Sequence, residues 1–169
     1  ETICSDEYTA YQKVLEEIKN GGQVYIIYPL VDESDKVELK SAVSEAENLS
    51  KTVFKNVKVG LLHGKMKPKE KNEIMINFKN KKFDILTATT VIEVGIDVPN
   101  ATIIVIQHAD RFGLATLHQL RGRVGRGRKK SYCFLISDSK SRTAKQRLAI
   151  MTKTTDGFKI ASADLEMRG

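Results

Sequence analysis

The chain has 169 residues, 41% of them hydrophobic and 29% charged, with a formal net charge of +7. That length allows one domain with a real core and excludes two large ones. No apolar run approaches the ~20 residues that cross a bilayer, so no membrane partner is expected. Cys4 and Cys133 make neither a disulfide framework nor a metal-ligand set, which suits a reducing, cytoplasmic setting. The basic excess favours a polyanionic partner without choosing between nucleic acid and a membrane surface. The chain starts at Glu1 with no methionine and no signal-like segment, and stops at Arg168-Gly169 with no terminating structure. It is expected to be a piece of something longer.

In chain order, apolar β-favouring runs alternate with helix-period segments. Ala10, Val14 and Ile18 recur at i, i+4 and i+8, and Gly21-Gly22 supplies a stop, so a helix is expected there. Residues 23–30 read as a strand broken near Pro29. Leu39, Ala42, Val43, Ala46, Leu49 and Val53 trace a helical stripe, and residues 57–62 the next strand. Pro68 suits a first helical turn and opens a helix presenting Ile74, Met75 and Phe78. Strands are expected at 83–87 and 101–106, separated by a compact segment holding Gly95 and Pro99. A short helix follows, then a last strand at 131–137 in which Cys133 is expected as a buried thiol. From about residue 140 the chain is helix-like and polar. Consecutive apolar positions in 103–106 imply strands covered on both faces. The rhythm predicts an α/β three-layer sandwich around a parallel sheet.

The most informative stretch is 119–128, Gln-Leu-Arg-Gly-Arg-Val-Gly-Arg-Gly-Arg; six of the ten residues 121–130 are Arg or Lys. If it is helical, Gln119, Gly122, Arg123 and Arg126 stand at i, i+3, i+4 and i+7, on one face. Guanidiniums present a planar fork of donors that fits phosphate oxygens, so that face reads as a polyphosphate grip. A solvated basic surface or a flexible RGG-like patch is the alternative.

Two near-motifs mislead. Gly64-Lys65 resembles the end of a P-loop, but Val59 replaces the required glycine, and Met66 stands where a magnesium-binding Ser or Thr belongs. The acidic run 32–35 follows a strand without any P-loop upstream, and reads as a solvated loop. His63, His108 and His118 lack metal-like spacing. An arginine face without a phosphate cradle or magnesium carboxylate of its own suggests a donor to another site, where trans-acting arginines contribute ~10³–10⁵ in rate.

Residues 119–126 match motif VI (QxxGRxGR) of the superfamily-two helicases. Residues 88–99, Ala-Thr-Thr-Val-Ile-Glu-Val-Gly-Ile-Asp-Val-Pro, resemble their motif V, and Leu62-His63-Gly64-Lys65-Met66 their HG element. Together these resemble the second RecA-like motor domain of that superfamily. Residues 109–114, 118–127, 154–161 and 164–169 draw the likeness toward bacterial replication-fork helicases, and more distantly toward transcription–repair coupling translocases that move on double-stranded DNA.

The resemblance implies a RecA-like sandwich at 1–139 and a helical extension at 140–169, with a hairpin made by 142–151 and 162–167. It implies an ATP-dependent DNA helicase or translocase acting on branched DNA, replication forks and Holliday junctions, in repair and recombination. Its cofactors would be ATP and Mg2+, held mainly by a first motor domain of the same protein. Its place would be the bacterial cytoplasm, at the nucleoid. Carried over position by position, Arg126 becomes an arginine finger on the γ-phosphate, Arg123 its partner, and Gln119 a nucleotide sensor. Gly95 and Asp97 fall at the nucleotide edge, while Thr89, His63, Gly64 and Lys71 face the DNA backbone. Lys71 stands where many relatives carry arginine, so a weaker point contact is expected. Gln107-His108 replaces an expected Glu-Asn, and His108 receives no role. A non-catalytic nucleic-acid-binding module of the same fold is the rival from another class. A self-contained Rossmann-like enzyme would need a glycine-rich first turn that the sequence lacks.

Overall fold

The computed structural model describes residues 1–29, 55–63, 66–89, 98–125, 127 and 129–168. Six strands, β1 (Thr2–Ser5), β2 (Gln23–Ile27), β3 (Val59–Leu62), β4 (Ile85–Ala88), β5 (Ala101–Ile106) and β6 (Tyr132–Ile136), form one sheet in the order β1-β6-β5-β2-β4-β3. Every pairing is parallel. Five α-helices are described: α1 (Glu7–Lys19), α2 (Pro68–Lys79), α3 (Leu114–Arg121), α4 (Arg142–Lys153) and α5 (Gly157–Arg168).

The period of two in the strands divides the core between two faces. Val24, Ile26, Ile103, Val105 and Phe134 point to one face, where Ala10, Tyr11 and Val14 of α1 cover them. Tyr25, Ile27, Leu86, Ile104, Ile106 and Leu135 point to the other, beneath Met75 and Phe78 of α2 and Leu117 and Leu120 of α3. Leu148, Met151 and Ile160 join this second cluster, so the two C-terminal helices pack into the core of the sandwich. All positions of β2 and β5 are buried, because helices cover both faces of a parallel sheet. Cys133 is buried in β6, and burial pushes its thiol up to about 12.

Helix ends follow local chemistry. Asp6 caps α1 by accepting from Thr9 N–H at 3.2 Å, and Ser141 caps α4 through Ala144 N–H at 3.4 Å. Pro68 opens α2, as its spacing predicts. The C-terminus of α2 closes with Lys81 N–H on Phe78 O and Lys82 N–H on Asn77 O, both 3.0 Å, with Lys81 at φ 63. The end of α1 makes the same paired bonds, with Gly21 at the left-handed position.

Several boundaries move. The second strand stops at Ile27 rather than 30, and Tyr28 and Pro29 continue as buried non-strand chain. The strand expected at 57–62 starts at Val59, and that at 83–87 runs Ile85–Ala88. The strand expected at 131–137 loses one residue at each end. The second helix of the hairpin starts at Gly157, five residues before 162. β1 was not expected at all: its four residues become a strand through the register Thr2↔Cys133 to Ser5↔Ile136 with β6. The helical stripe at 39–53 lies outside the described residues.

Candidate nucleotide and nucleic-acid site

In open parallel sheets, ligands gather outside the carboxyl ends of the strands. Two expected DNA-facing residues stand there side by side. Leu62 pairs with Ala88 in the β3–β4 register, and Thr89 N–H then donates to Leu62 O at 3.1 Å, which places Thr89 next to His63. Thr89 is fully buried, yet its Oγ1 has no hydrogen-bond partner among the described residues. The buried Nδ1 of His63 is likewise without one. Burying an unpaired hydroxyl or imidazole nitrogen costs free energy, so two such groups on adjacent strand ends need a reason. Lys71 lies in the first turn of α2 and is half-buried; its N–H bonds Lys67 O at 3.0 Å. Gly64 lies outside the described residues.

The arginine segment is not one continuous helix. Leu114, Leu117 and Leu120 anchor α3 to the core, leaving Gln119 exposed. The helix ends at Arg121, with Gly122 as its C-cap, and Gly122 N–H bonds His118 O at 3.1 Å. Arg123 and Val124 continue as tighter turns onto Leu120 O and Arg121 O, and Gly125 at φ 83 takes the chain off the helix axis. The helical spacing therefore reaches Gln119 and Gly122 but does not carry on through Arg123 to Arg126. Glycine at 122 and 125 removes the helical preference just where the second half of the face would form. Arg123 is half-buried. Arg126, Gly95 and Asp97 lie outside the described residues.

The structure does bring the motif V and motif VI segments together. A Cβ on Gly127 would stand 2.7 Å from Pro99 O, so the chain after Arg126 lies directly on the residue that precedes β5 by two positions.

Arg121 and His118 have positions that sequence reasoning missed. Arg121 Nη1 donates to Met151 O at 2.8 Å and Thr154 O at 3.0 Å, while Nη2 lies 3.0 Å from His118 Nδ1. A guanidinium has no acceptor, so that imidazole nitrogen must be the unprotonated one. Burial pulls the guanidinium's pKa down from its ordinary value, without threatening its charge. The Met151 and Thr154 carbonyls are ones that the end of α4 leaves unpaired. The pair thus fastens α3 to the turn between α4 and α5. A signal existed: Leu114, Leu117, His118 and Arg121 are i, i+3, i+4 and i+7, so both polar residues sit on the buried stripe. His108, left without a role, adopts φ 49 and ψ 49 after β5. Asn and His are among the few side chains that tolerate this conformation, which fits an asparagine in relatives.

The sheet and these segments define a helicase motor module. Residues 7–128 match the helicase conserved C-terminal domain, and the chain belongs to that family. More particularly, it is similar to the ATP-dependent DNA helicase RecG. The Thermotoga maritima protein is 54% identical over 159 residues, covering 94% of this chain and 20% of that one. The Aquifex aeolicus protein is 54% identical over 169 residues, covering 98% of this chain and 21% of its own. The chain spans about a fifth of the length of the curated relatives it matches. Among solved structures, RecG bound to a three-way DNA junction superposes with a TM-score of 0.84 at 48% identity, covering 97% of this chain and 21% of that one. The yeast splicing factor Prp28, at 21% identity and a TM-score of 0.64, shares the fold.

Proposed function

We propose that the chain is the second motor domain of a RecG-type ATP-dependent DNA helicase that remodels branched DNA in repair and recombination, in the bacterial cytoplasm at the nucleoid. Residues 1–139 are read as the motor sandwich and 140–169 as its helical extension. ATP binds in a cleft whose other wall is the first motor domain of the same protein. Among the described residues no group of three His, Cys, Asp or Glu side chains could hold a metal ion, so Mg2+ is assigned to that other wall with the nucleotide phosphates. From this chain, Arg126 brings a guanidinium to the γ-phosphate, with Arg123 beside it. Gln119, exposed at the end of α3, reports on the nucleotide. Gly95 and Asp97 take its ribose edge. Thr89, His63, Gly64 and Lys71 take DNA phosphates, for which hydroxyl, imidazole, bare backbone N–H and ammonium are suitable donors.

The observation that carries this reading is the pair of unsatisfied buried groups, Thr89 Oγ1 and His63 Nδ1, on adjacent strand ends. A backbone phosphate supplies the acceptor that the hydroxyl lacks. Thr89→Val keeps the shape and deletes that hydroxyl. It is expected to stabilise the protein by about 1–2 kcal/mol, because an unpaired buried group disappears. It is also expected to weaken binding to a three-way junction by roughly tenfold or more, a charge-assisted hydrogen bond being worth ~1.5–3 kcal/mol. Thermal unfolding and junction affinity measured on the same variant give the two signs. An unchanged junction affinity would take Thr89 off the DNA surface and remove the main support for the reading.

A further inference from the structure

Gly125, Arg126 and Gly127 are consecutive, and the structure constrains both glycines. Gly125 has φ 83, where a Cβ is disfavoured, and a Cβ there would also stand 2.9 Å from Ser131 Oγ. At Gly127 the constraint is one of contact: a Cβ would lie 2.7 Å from Pro99 O and 3.8 Å from Pro99 Cβ. The near atom is main chain, so no side-chain rotation relieves it.

Pro99 cannot easily retreat. Val98 is buried, and its carbonyl accepts from Ala101 N–H at 2.9 Å, which closes the turn. Asn100 Nδ2 fastens the turn to Gly21 O at 2.9 Å and to Gln23 Oε1 at 3.1 Å. β5, one residue further, is buried along its whole length. Gly127, by contrast, is exposed and belongs to no helix or strand. Any strain between the two is taken up on the side of Gly127.

We infer that Gly127 is a positioning residue: its bare α-carbon seats the arginine-bearing segment on the Pro99 carbonyl and so sets where Arg126 delivers its guanidinium. This rests on reading Arg126 as a ligand of the nucleotide phosphates. A methyl group at 127 forces the contact from 2.7 Å to at least 3.4 Å, a displacement of about 0.7 Å applied one residue from the arginine. Misplacing a group by about 1 Å in a phosphoryl-transfer site costs up to about a hundredfold in rate. Because the move affects a transition-state contact, kcat falls while ground-state binding holds.

The test uses the full-length helicase with Gly127→Ala, Arg126→Ala and the double variant. The readouts are kcat at saturating ATP and junction DNA, the KM for ATP, junction affinity, and affinity for ADP with aluminium fluoride against ADP alone. Gly127→Ala is expected to lower kcat by about tenfold to a hundredfold, with KM and junction affinity within about twofold of wild type. Affinity for the aluminium fluoride complex falls with kcat, and affinity for ADP does not. On the Arg126→Ala background the glycine substitution is expected to change kcat no further. A near-wild-type kcat for Gly127→Ala overturns the inference, as does a deficit that persists undiminished on that background. If Arg126→Ala itself keeps more than about a tenth of kcat, the phosphate-ligand reading fails and the inference falls with it. Should Gly127→Ala be insoluble, Asn100→Ala loosens the same seat. It is expected to lower kcat at unchanged KM, and an unchanged kcat overturns the inference equally.

Discussion

Arg121→Ala is expected to unfasten α3 from the hairpin, and the size of the effect follows from the bonds lost. Two short ones, to Met151 O at 2.8 Å and Thr154 O at 3.0 Å, go to carbonyls that the end of α4 cannot satisfy by itself. A third links Nη2 to His118 Nδ1 at 3.0 Å, and a contact to Thr2 Oγ1 at 3.4 Å adds little. Hydrogen bonds to a charged donor contribute ~1.5–3 kcal/mol each when buried. Arg121 is half-buried, so water replaces part of what is lost, and a net cost of about 2–4 kcal/mol is expected. For a domain of this size each kcal/mol moves Tm by about 2–4 °C, which gives a fall of roughly 4–16 °C. Arg121→Lys keeps the charge but reaches the two carbonyls with one ammonium and cannot also hold the imidazole, so it should recover about half. Circular dichroism melts and urea midpoints of the three proteins provide the measurement. A fall below about 2 °C for Arg121→Ala would show that the clamp contributes nothing beyond an exposed pair.

Two further outcomes are expected. Lys81→Gly should raise stability by about 0.5–1 kcal/mol, since φ 63 costs a side-chain-bearing residue more than glycine's extra freedom in the unfolded chain; a lower Tm for this variant in calorimetry would contradict the helix-end geometry. Arg126→Ala in the full-length helicase should cut kcat for DNA-stimulated ATP hydrolysis by about 10³–10⁵ with ATP affinity far less affected, and Arg126→Lys should not restore it, because one ammonium lacks the fork. Phosphate release at saturating ATP and junction DNA measures both variants.

The parts of the fold that the sequence reveals are those fixed by local pattern. β5 is read to the residue, because six consecutive apolar or small positions leave no other burial scheme for so short a run. Pro68 marks the start of α2 for an equally local reason. β1 escapes notice because Thr-Ile-Cys-Ser carries little signal of its own, and only pairing with β6 makes it a strand. At the site, the arginine-rich segment is legible as chemistry but not as shape. Two glycines end its helicity, and whether they do so depends on Pro99 and Ser131, which lie elsewhere in the chain. The empty hydrogen-bonding positions of Thr89 and His63 were beyond reach, since an orphaned polar atom shows only once its neighbours are placed. Arg121 could have been found, had polar residues on an apolar stripe been asked what they bond.

The pairing of β1 with β6 also bears on synthesis. Glu1 N and Ser131 O, the start of that ladder, are 130 residues apart in the chain. At about 5–20 residues per second, a ribosome needs on the order of ten seconds to make β6 after β1 has emerged. During that interval β6, the strand that will lie between β1 and β5, does not yet exist, and β5 presents an unpaired apolar edge. Closure is therefore late and non-local, which places this sheet among slow-folding topologies and makes its half-finished form the one most exposed to wrong partners.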